Sequence, residues 1–248
     1  MSVDLALDGA VAVITLNRPE RKNAFTREQY DAFAAHLDDI AGRDDVRVAI
    51  VTGAGGSFSS GQDLKEMAEL ATAVAGSSAP ADPSGTGTGF TVLLDALQRF
   101  PKPLLAAVEG VAVGIGMTLL PYCDIVVVAE SARMRVPFSE LGVPPEAASS
   151  ALLADLVGWQ RAAEILLTSR WVSSDQAVEY GLALEKSADG HALEHALGIA
   201  RTIAEKSAYS TTVIKQLMVA ARGTRSQDAR AREEALFAEL FRGGGFGG

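Results

Sequence analysis

The chain has 248 residues, 48% hydrophobic and 21% charged, which is enough to bury one large core with a smaller subdomain. A net charge of -9 excludes binding to nucleic acid through a general basic face, but leaves room for an anionic small ligand held by a few local cations or helix N-termini. A single cysteine, Cys123, excludes an intrachain disulfide and fits a reducing, cytoplasmic setting.

The start, MSVDLALDGAVAV, carries acids before any apolar run and does not read as a secretory signal. Val3–Leu7 and Val11–Leu16 flank Asp8-Gly9 as a hairpin. NRPERKNAF is a polar loop. Thr26 with Gln29 three residues on predicts a capping box opening a helix over Arg27–Ala41. Val46–Thr52 reads as a buried strand, GAGGSFSSGQD as a glycine-rich loop and Leu64–Val74 as a helix. Gly76–Gly89, rich in Gly, Ser, Pro and Thr, is expected to be mobile. A helix over Phe90–Phe100 stops at Pro101 and Pro103. Leu104–Val108 is a strand, GVAVGIG a second glycine-rich segment, Met117–Tyr122 a short helix, and Ile125–Val128 and Met134–Val136 strands. Helices are expected near Ser149–Leu156, Gln160–Thr168, Ser174–Tyr180, His191–Lys206, Ser207–Ala221 and Gln227–Phe241, so that the final third reads as all helix. The tail, GGGFGG, carries no peroxisomal address. No apolar stretch reaches a membrane span, because Glu109, the glycines and Asp124 break the longest runs. Alternating strands and helices over about the first 190 residues predict an α/β core with parallel strands.

The two glycine-rich loops each follow a strand. The second gives G-x-G-x-x-Leu from Gly114, lacking the third glycine and the distal acid of a dinucleotide fingerprint. The first gives G-x-x-x-x-G from Gly56 to Gly61, but Gln62-Asp63 follow where a phosphate loop needs Lys and Ser/Thr. Two uses fit the pair: plain strand-to-helix turns, or backbone N–H groups aimed at a developing oxyanion.

SFSSGQDLKEM and AAVEGVAVGIGMTLLPYCDIVVVAE resemble the two oxyanion-hole segments of the crotonase (enoyl-CoA hydratase/isomerase) superfamily, and NRPERKNAF resembles its early CoA-contacting loop. The resemblance runs over nearly the whole chain, in the family's order. It implies a crotonase-like (ClpP/crotonase) α/β spiral of ββα units over about 1–190, and a helical C-terminal region, 191–248, that takes part in oligomerisation. It implies an acyl-CoA thioester substrate in fatty-acid metabolism, no separate cofactor and no metal, and a homotrimer or dimer of trimers. By the same resemblance the oxyanion donors are the N–H groups of Gln62 and Ile115, which follow Gly61 and Gly114. The CoA arm meets the backbone near Lys22, Asn23 and Ala24 and at Asp63 and Leu64. Lys22 and Lys65 are the cations nearest in sequence for a phosphate, and each reads equally well as a solvated surface lysine.

Hydratases of the family use two glutamates. At the corresponding positions this chain has Thr118 and Phe138. PFSELGVPPEAASS instead resembles the Δ3,Δ2-enoyl-CoA isomerase branch, in which the glutamate after the proline, here Glu146, is the single base. Hydration, another crotonase-type reaction and non-catalytic acyl-CoA binding are the alternatives. The helix-start reading of Glu146, a first-turn carboxylate favoured by the macrodipole, stays beside the catalytic one. Glu140 reads as a solvated or structural acid, Asp63 as a helix N-terminal residue, Asp124 as a turn residue that bonds backbone, and Cys123 as a small buried hydrophobe. His191-Ala-Leu-Glu194-His195 matches an inverted zinc-protease pattern, but with no third ligand it reads as a surface helix start. His36 is expected mid-helix and partly exposed. No G-x-S-x-G elbow is present.

Overall fold

Strands β1 (Val3–Asp8) and β2 (Val11–Leu16) form the expected hairpin, pairing from Val3↔Leu16 to Asp8↔Val11. The structure is a computed structural model that describes residues 2–63, 65–66, 88–222 and 224–242. From β2 the sheet grows by parallel pairing through β3 (Val48–Gly53), β4 (Leu104–Val108), β6 (Ile125–Ala129) and β9 (Glu185–Ser187), in the order β1-β2-β3-β4-β6-β9. Strands buried on both faces need continuous apolar runs, which VAIV and LLAAV supply. A smaller sheet carries β5 (Val111–Val113), β7 (Arg133–Arg135) and β8 (Val172–Ser173), in that order.

Helix α1 (Arg27–Gly42) opens on the predicted capping box, with the Thr26 side chain accepting from the Gln29 N–H and the Gln29 side chain accepting from the Thr26 N–H. It packs on α2 (Thr88–Arg99) and buries Tyr30, Phe33, Leu37 and Ile40 in the main core. Short helices α3 (Ile115–Thr118) and α4 (Phe138–Leu141) lie near the second sheet. They are followed by α5 (Ser149–Val157), α6 (Trp159–Thr168) and α7 (Ser174–Tyr180). Helix α8 (Ala192–Ala204) seals the other face of the large sheet. Its Ala192, Ala196 and Ala200, one helical turn apart, pack on Val11, Val48, Ile50, Leu105 and Val127. Helices α9 (Ala208–Ala221) and α10 (Arg225–Arg242) complete the chain. Among the described residues no helix is long and apolar enough to cross a membrane.

Four local expectations are corrected. The final third is not all helix, because β9 pairs with β6 through Val128↔Lys186. Its sequence, Glu-Lys-Ser, lacks strand character, and the sheet edge supplies the order instead. Within GVAVGIG, three residues form β5 and pair with β7. The next helix begins at Ile115 rather than Met117, and α4 occupies Phe138–Leu141 where no helix was expected. The readings of a helix over Leu64–Val74 and of a mobile Gly76–Gly89 fall almost wholly outside the described residues. Lys65 and Glu66 are helical, and residues 88 and 89 open α2.

Candidate active site

The two glycine-rich loops meet. Ser59 bridges in parallel to Ala112, its N–H donating to Val111 O (3.0 Å) and its carbonyl accepting from the Val113 N–H (2.9 Å). This brings Gly61 against Gly114. Gly61 has φ +96, and a Cβ there would lie 2.9 Å from the Val113 carbonyl oxygen; Gly114 has φ +52 with the Gly61 Cα 3.8 Å from where its Cβ would be. The positive φ favours glycine at both positions, and at Gly61 the close approach requires it as well.

Each glycine then turns the next N–H outward. Phe25 bridges in parallel to Gln62 by donating to Gly61 O (2.7 Å) and accepting from the Asp63 N–H (2.8 Å). It therefore bonds the neighbours of Gln62, and the Gln62 N–H faces away from that bridge. Ile115 is the first residue of α3, where N–H groups have no intrahelical partner. Neither N–H bonds another described residue.

The first loop is braced by groups that its polar sequence does not single out. The Asn23 side chain is fully buried; it accepts from the Arg18 N–H (2.8 Å) and donates to Ala54 O (2.9 Å) and Ser57 O (2.7 Å). Its amide is thus committed within the loop, while Lys22 is exposed and Ala24 is buried. Arg18 donates to Ala24 O (2.7 Å) and to Asp63 Oδ2 (3.1 Å). Burial alone would raise the Asp63 carboxyl, but Arg18 and the backbone N–H groups of Glu66 and Lys65 hold it below the usual range. Asp63 is the helix N-terminal residue that the sequence predicted. Leu64 lies outside the described residues.

Tyr30 stands between the oxyanion-type loop and Glu146. Its hydroxyl, on the fully buried face of α1, donates to Gln62 Oε1 at 2.5 Å. Burial, then the charges of Glu146 and Glu66, push this phenol well above its ordinary value. The Gln62 side chain and the Glu146 carboxylate are therefore both in the surroundings of one hydroxyl. Gln62 Nε2 and Thr118 Oγ1 are buried without a hydrogen-bond partner among the described residues.

Glu146 sits between α4 and α5 at a backbone that few L-residues adopt: Ala147 and Ala148 have φ of 58 and 56. Its side chain is half-buried and accepts no hydrogen bond from another described residue. Desolvation, and secondarily the charge of Glu233, push its carboxyl from 4.5 up to about 8. The site thus holds two outward N–H groups and a carboxyl poised near neutrality, whose charge is felt at the tyrosine that bonds Gln62. An arrangement of that kind can take a proton from carbon beside a thioester and hold the resulting oxyanion.

A family profile described as enoyl-CoA hydratase/isomerase matches residues 7–244. The chain belongs to the enoyl-CoA hydratase/isomerase family. It is 34% identical over 212 residues to 1,2-epoxyphenylacetyl-CoA isomerase of Escherichia coli (strain K12), covering 85% of this chain and 79% of that protein. It is 38% identical over 181 residues to enoyl-CoA delta isomerase 2 of Rattus norvegicus, covering 72% of this chain and 44% of the rat protein. The solved structure of Pseudomonas aeruginosa OdaA superposes with a TM-score of 0.88 at 33% identity, over 97% of this chain and 94% of that one. The fold is the crotonase fold of such enzymes, and both hydratase and isomerase names occur among the relatives.

Within this enoyl-CoA hydratase/isomerase scaffold the rival residues take the plain roles read from the sequence. Glu140 is exposed and paired with Arg135. Asp124 accepts from the Leu104 N–H (2.8 Å) and, beyond that reading, binds the buried Lys215 ammonium through both oxygens at 2.7 Å. Burial pushes the Cys123 thiol up to about 12. His191 bonds Glu194 (2.9 Å), His195 bonds Glu185 (2.8 Å), and no metal-holding cluster of acids, histidines or cysteine exists among the described residues. His36 is half-buried mid-helix, against Val3 O.

Proposed function

We propose that this chain is a Δ3,Δ2-enoyl-CoA isomerase with Glu146 as its single base. Glu146 removes a proton from C2 of a 3-enoyl thioester. The electron pair delocalises through the C3–C4 double bond and the carbonyl, and the N–H groups of Gln62 and Ile115 hold the charge on the thioester oxygen. The protonated Glu146 then returns the proton at C4, leaving the double bond between C2 and C3. One carboxyl serves both carbons, and a value near 8 suits a group that acts as base and then as acid.

The observation that carries this reading is the identity of the acids. Thr118 and Phe138 are both buried and neither can activate water, while the segment after the prolines supplies Glu146, a carboxyl whose charge is felt at Tyr30. Syn hydration needs a second group to orient and deprotonate water. The CoA arm is assigned to the backbone of Lys22, Asn23 and Ala24 and to Asp63 and Leu64. The exposed apolar side chains of α9, Tyr209, Ile214, Leu217 and Met218, are assigned to contacts between copies, as a homotrimer or dimer of trimers.

The test is a panel of acyl-CoA thioesters followed by mass spectrometry and by the absorbance of the conjugated product. Conversion of 3-hexenoyl-CoA to 2-hexenoyl-CoA, lost in Glu146→Gln, is expected. Formation of 3-hydroxyacyl-CoA from a 2-enoyl-CoA at a comparable rate would identify a hydratase instead. Binding without turnover across the panel would leave an acyl-CoA-binding protein.

A further inference from the structure

The turn that presents Glu146 is not held by its own sequence. Ala147 and Ala148 lie in the left-handed region, which costs each about 1–2 kcal/mol relative to ordinary backbone. Ala148 is the N-cap of α5 and has no side chain with which to cap it. Two distant residues supply what is missing. The Tyr122 hydroxyl donates to the Ala147 carbonyl at 3.0 Å. Glu233, on α10 and only 4% exposed, accepts the Ala148 N–H at 2.7 Å on one oxygen, and the Ser150 N–H (2.9 Å) and Ser150 hydroxyl (2.5 Å) on the other. A buried carboxylate with three donors from one turn is a cap provided from elsewhere in the chain, with its charge at the favourable end of α5.

We propose that Glu233 is the positioning residue for Glu146: from the last helix it locks the Ala147–Ala148 turn and places its carboxylate on the Ala148 N–H, two residues from Glu146. The proposal rests on the isomerase reading only for what Glu146 does with its proton. Glu146 is raised first by desolvation and second by the charge of Glu233. The three donors favour the ionised form of Glu233, while Glu146 accepts from no such donor, so a charge on Glu233 disfavours ionisation of Glu146. Burial, reinforced by Glu234, nevertheless keeps Glu233 above the usual carboxyl range. Groups from other elements do not cancel this charge at Glu146. Tyr30 of α1 is a neutral phenol, Tyr122 is a buried neutral phenol, and Arg230 of α10 is bonded to Glu234 (2.6 Å) and Asp95 (2.6 Å).

The experiment follows the side-chain carboxyl of Glu146 by carbon NMR in full-length protein carrying labelled glutamate, with the resonance assigned by its absence in Glu146→Gln. In Glu233→Gln, which keeps size and removes charge, the Glu146 midpoint is expected to fall by about one unit. In Glu233→Ala, kcat for 3-hexenoyl-CoA is expected to fall about 10- to 100-fold with a smaller change in KM, as the base is misplaced. Glu233→Asp should recover part of both. Should the first two variants fail to fold, Ser150→Ala removes one donor without touching Glu233 and should move the midpoint the same way by a smaller step. A folded Glu233→Gln, or Ser150→Ala in its place, with the wild-type Glu146 midpoint overturns the proposal. A wild-type protein that isomerises no 3-enoyl-CoA overturns the isomerase reading, and the NMR titration still decides the role of Glu233.

Discussion

The two halves of the candidate site are built in opposite ways. The donor half, around Gly61–Gln62 and Gly114–Ile115, is local: glycines at φ +96 and +52 and a parallel bridge from Ser59 to Ala112 aim two backbone N–H groups. The base half, around Glu146, is assembled from afar, with Tyr122 and Glu233 holding a turn that its own alanines disfavour. A backbone donor needs only the right φ and ψ, which a short motif encodes. A side-chain base needs a direction and an environment, and those come from whatever packs around it.

The largest expected effect removes the base itself. Glu146→Gln should lower kcat for 3-hexenoyl-CoA by about 10³-fold or more, within the range for losing a positioned proton-transfer group, in a steady-state assay of the conjugated product. On the donor half, Gly61→Ala places a Cβ 2.9 Å from Val113 O at φ +96. It should cost about 10²-fold in kcat by displacing the Gln62 N–H. It should also cost about 1–3 kcal/mol of stability from the strained backbone, read by denaturant titration. Equal activity of Gly61→Ala and wild type would remove the donor half from the account.

A subtler contrast is in pH. Glu146 must be ionised to act, so kcat/KM should rise with pH through a midpoint near 8. The stability consequence has the opposite slope. A folded-state value above the unfolded one means that the folded protein holds this proton more tightly. Stability from this group is full below about 4.5 and is lost as pH rises from 4.5 to 8. Glu146→Gln should therefore gain stability over wild type across that window, by a few kcal/mol at most, since one unit corresponds to about 1.4 kcal/mol. Chemical denaturation at pH 5 and pH 8.5 measures it. The smallest expected effect is at Gln62: if the backbone is the donor, Gln62→Ala should change kcat less than about 10-fold, the remaining loss reflecting Tyr30, left without its acceptor at 2.5 Å.

Much of the fold was legible in the sequence, because continuous apolar runs, the Thr26–Gln29 capping box and the two glycine loops are local signals; the use of those loops as donors was read only through the family pattern. Glu146 was legible only beside Thr118 and Phe138, through the family pattern. Its neighbours were not. Tyr30 reads as one more core residue of an amphipathic helix, and nothing near Glu233 in sequence distinguishes it from Glu234, which faces Arg230. Lys215 looks like a surface lysine until α9 brings it to Asp124. The strand Glu185–Ser187 escaped because the sheet edge, rather than its residues, makes it a strand. Contacts across 80 or more positions leave no local trace.

The central claim is that one carboxyl, Glu146, moves the proton between C2 and C4. Isomerisation of 3-hexenoyl-CoA by wild type and by Glu146→Gln, with 2-hexenoyl-CoA binding measured alongside, tests it most directly. The account predicts a Gln variant that binds the product as wild type does and turns over at about a thousandth of its rate or less. A Gln variant that isomerises as fast as wild type would contradict it.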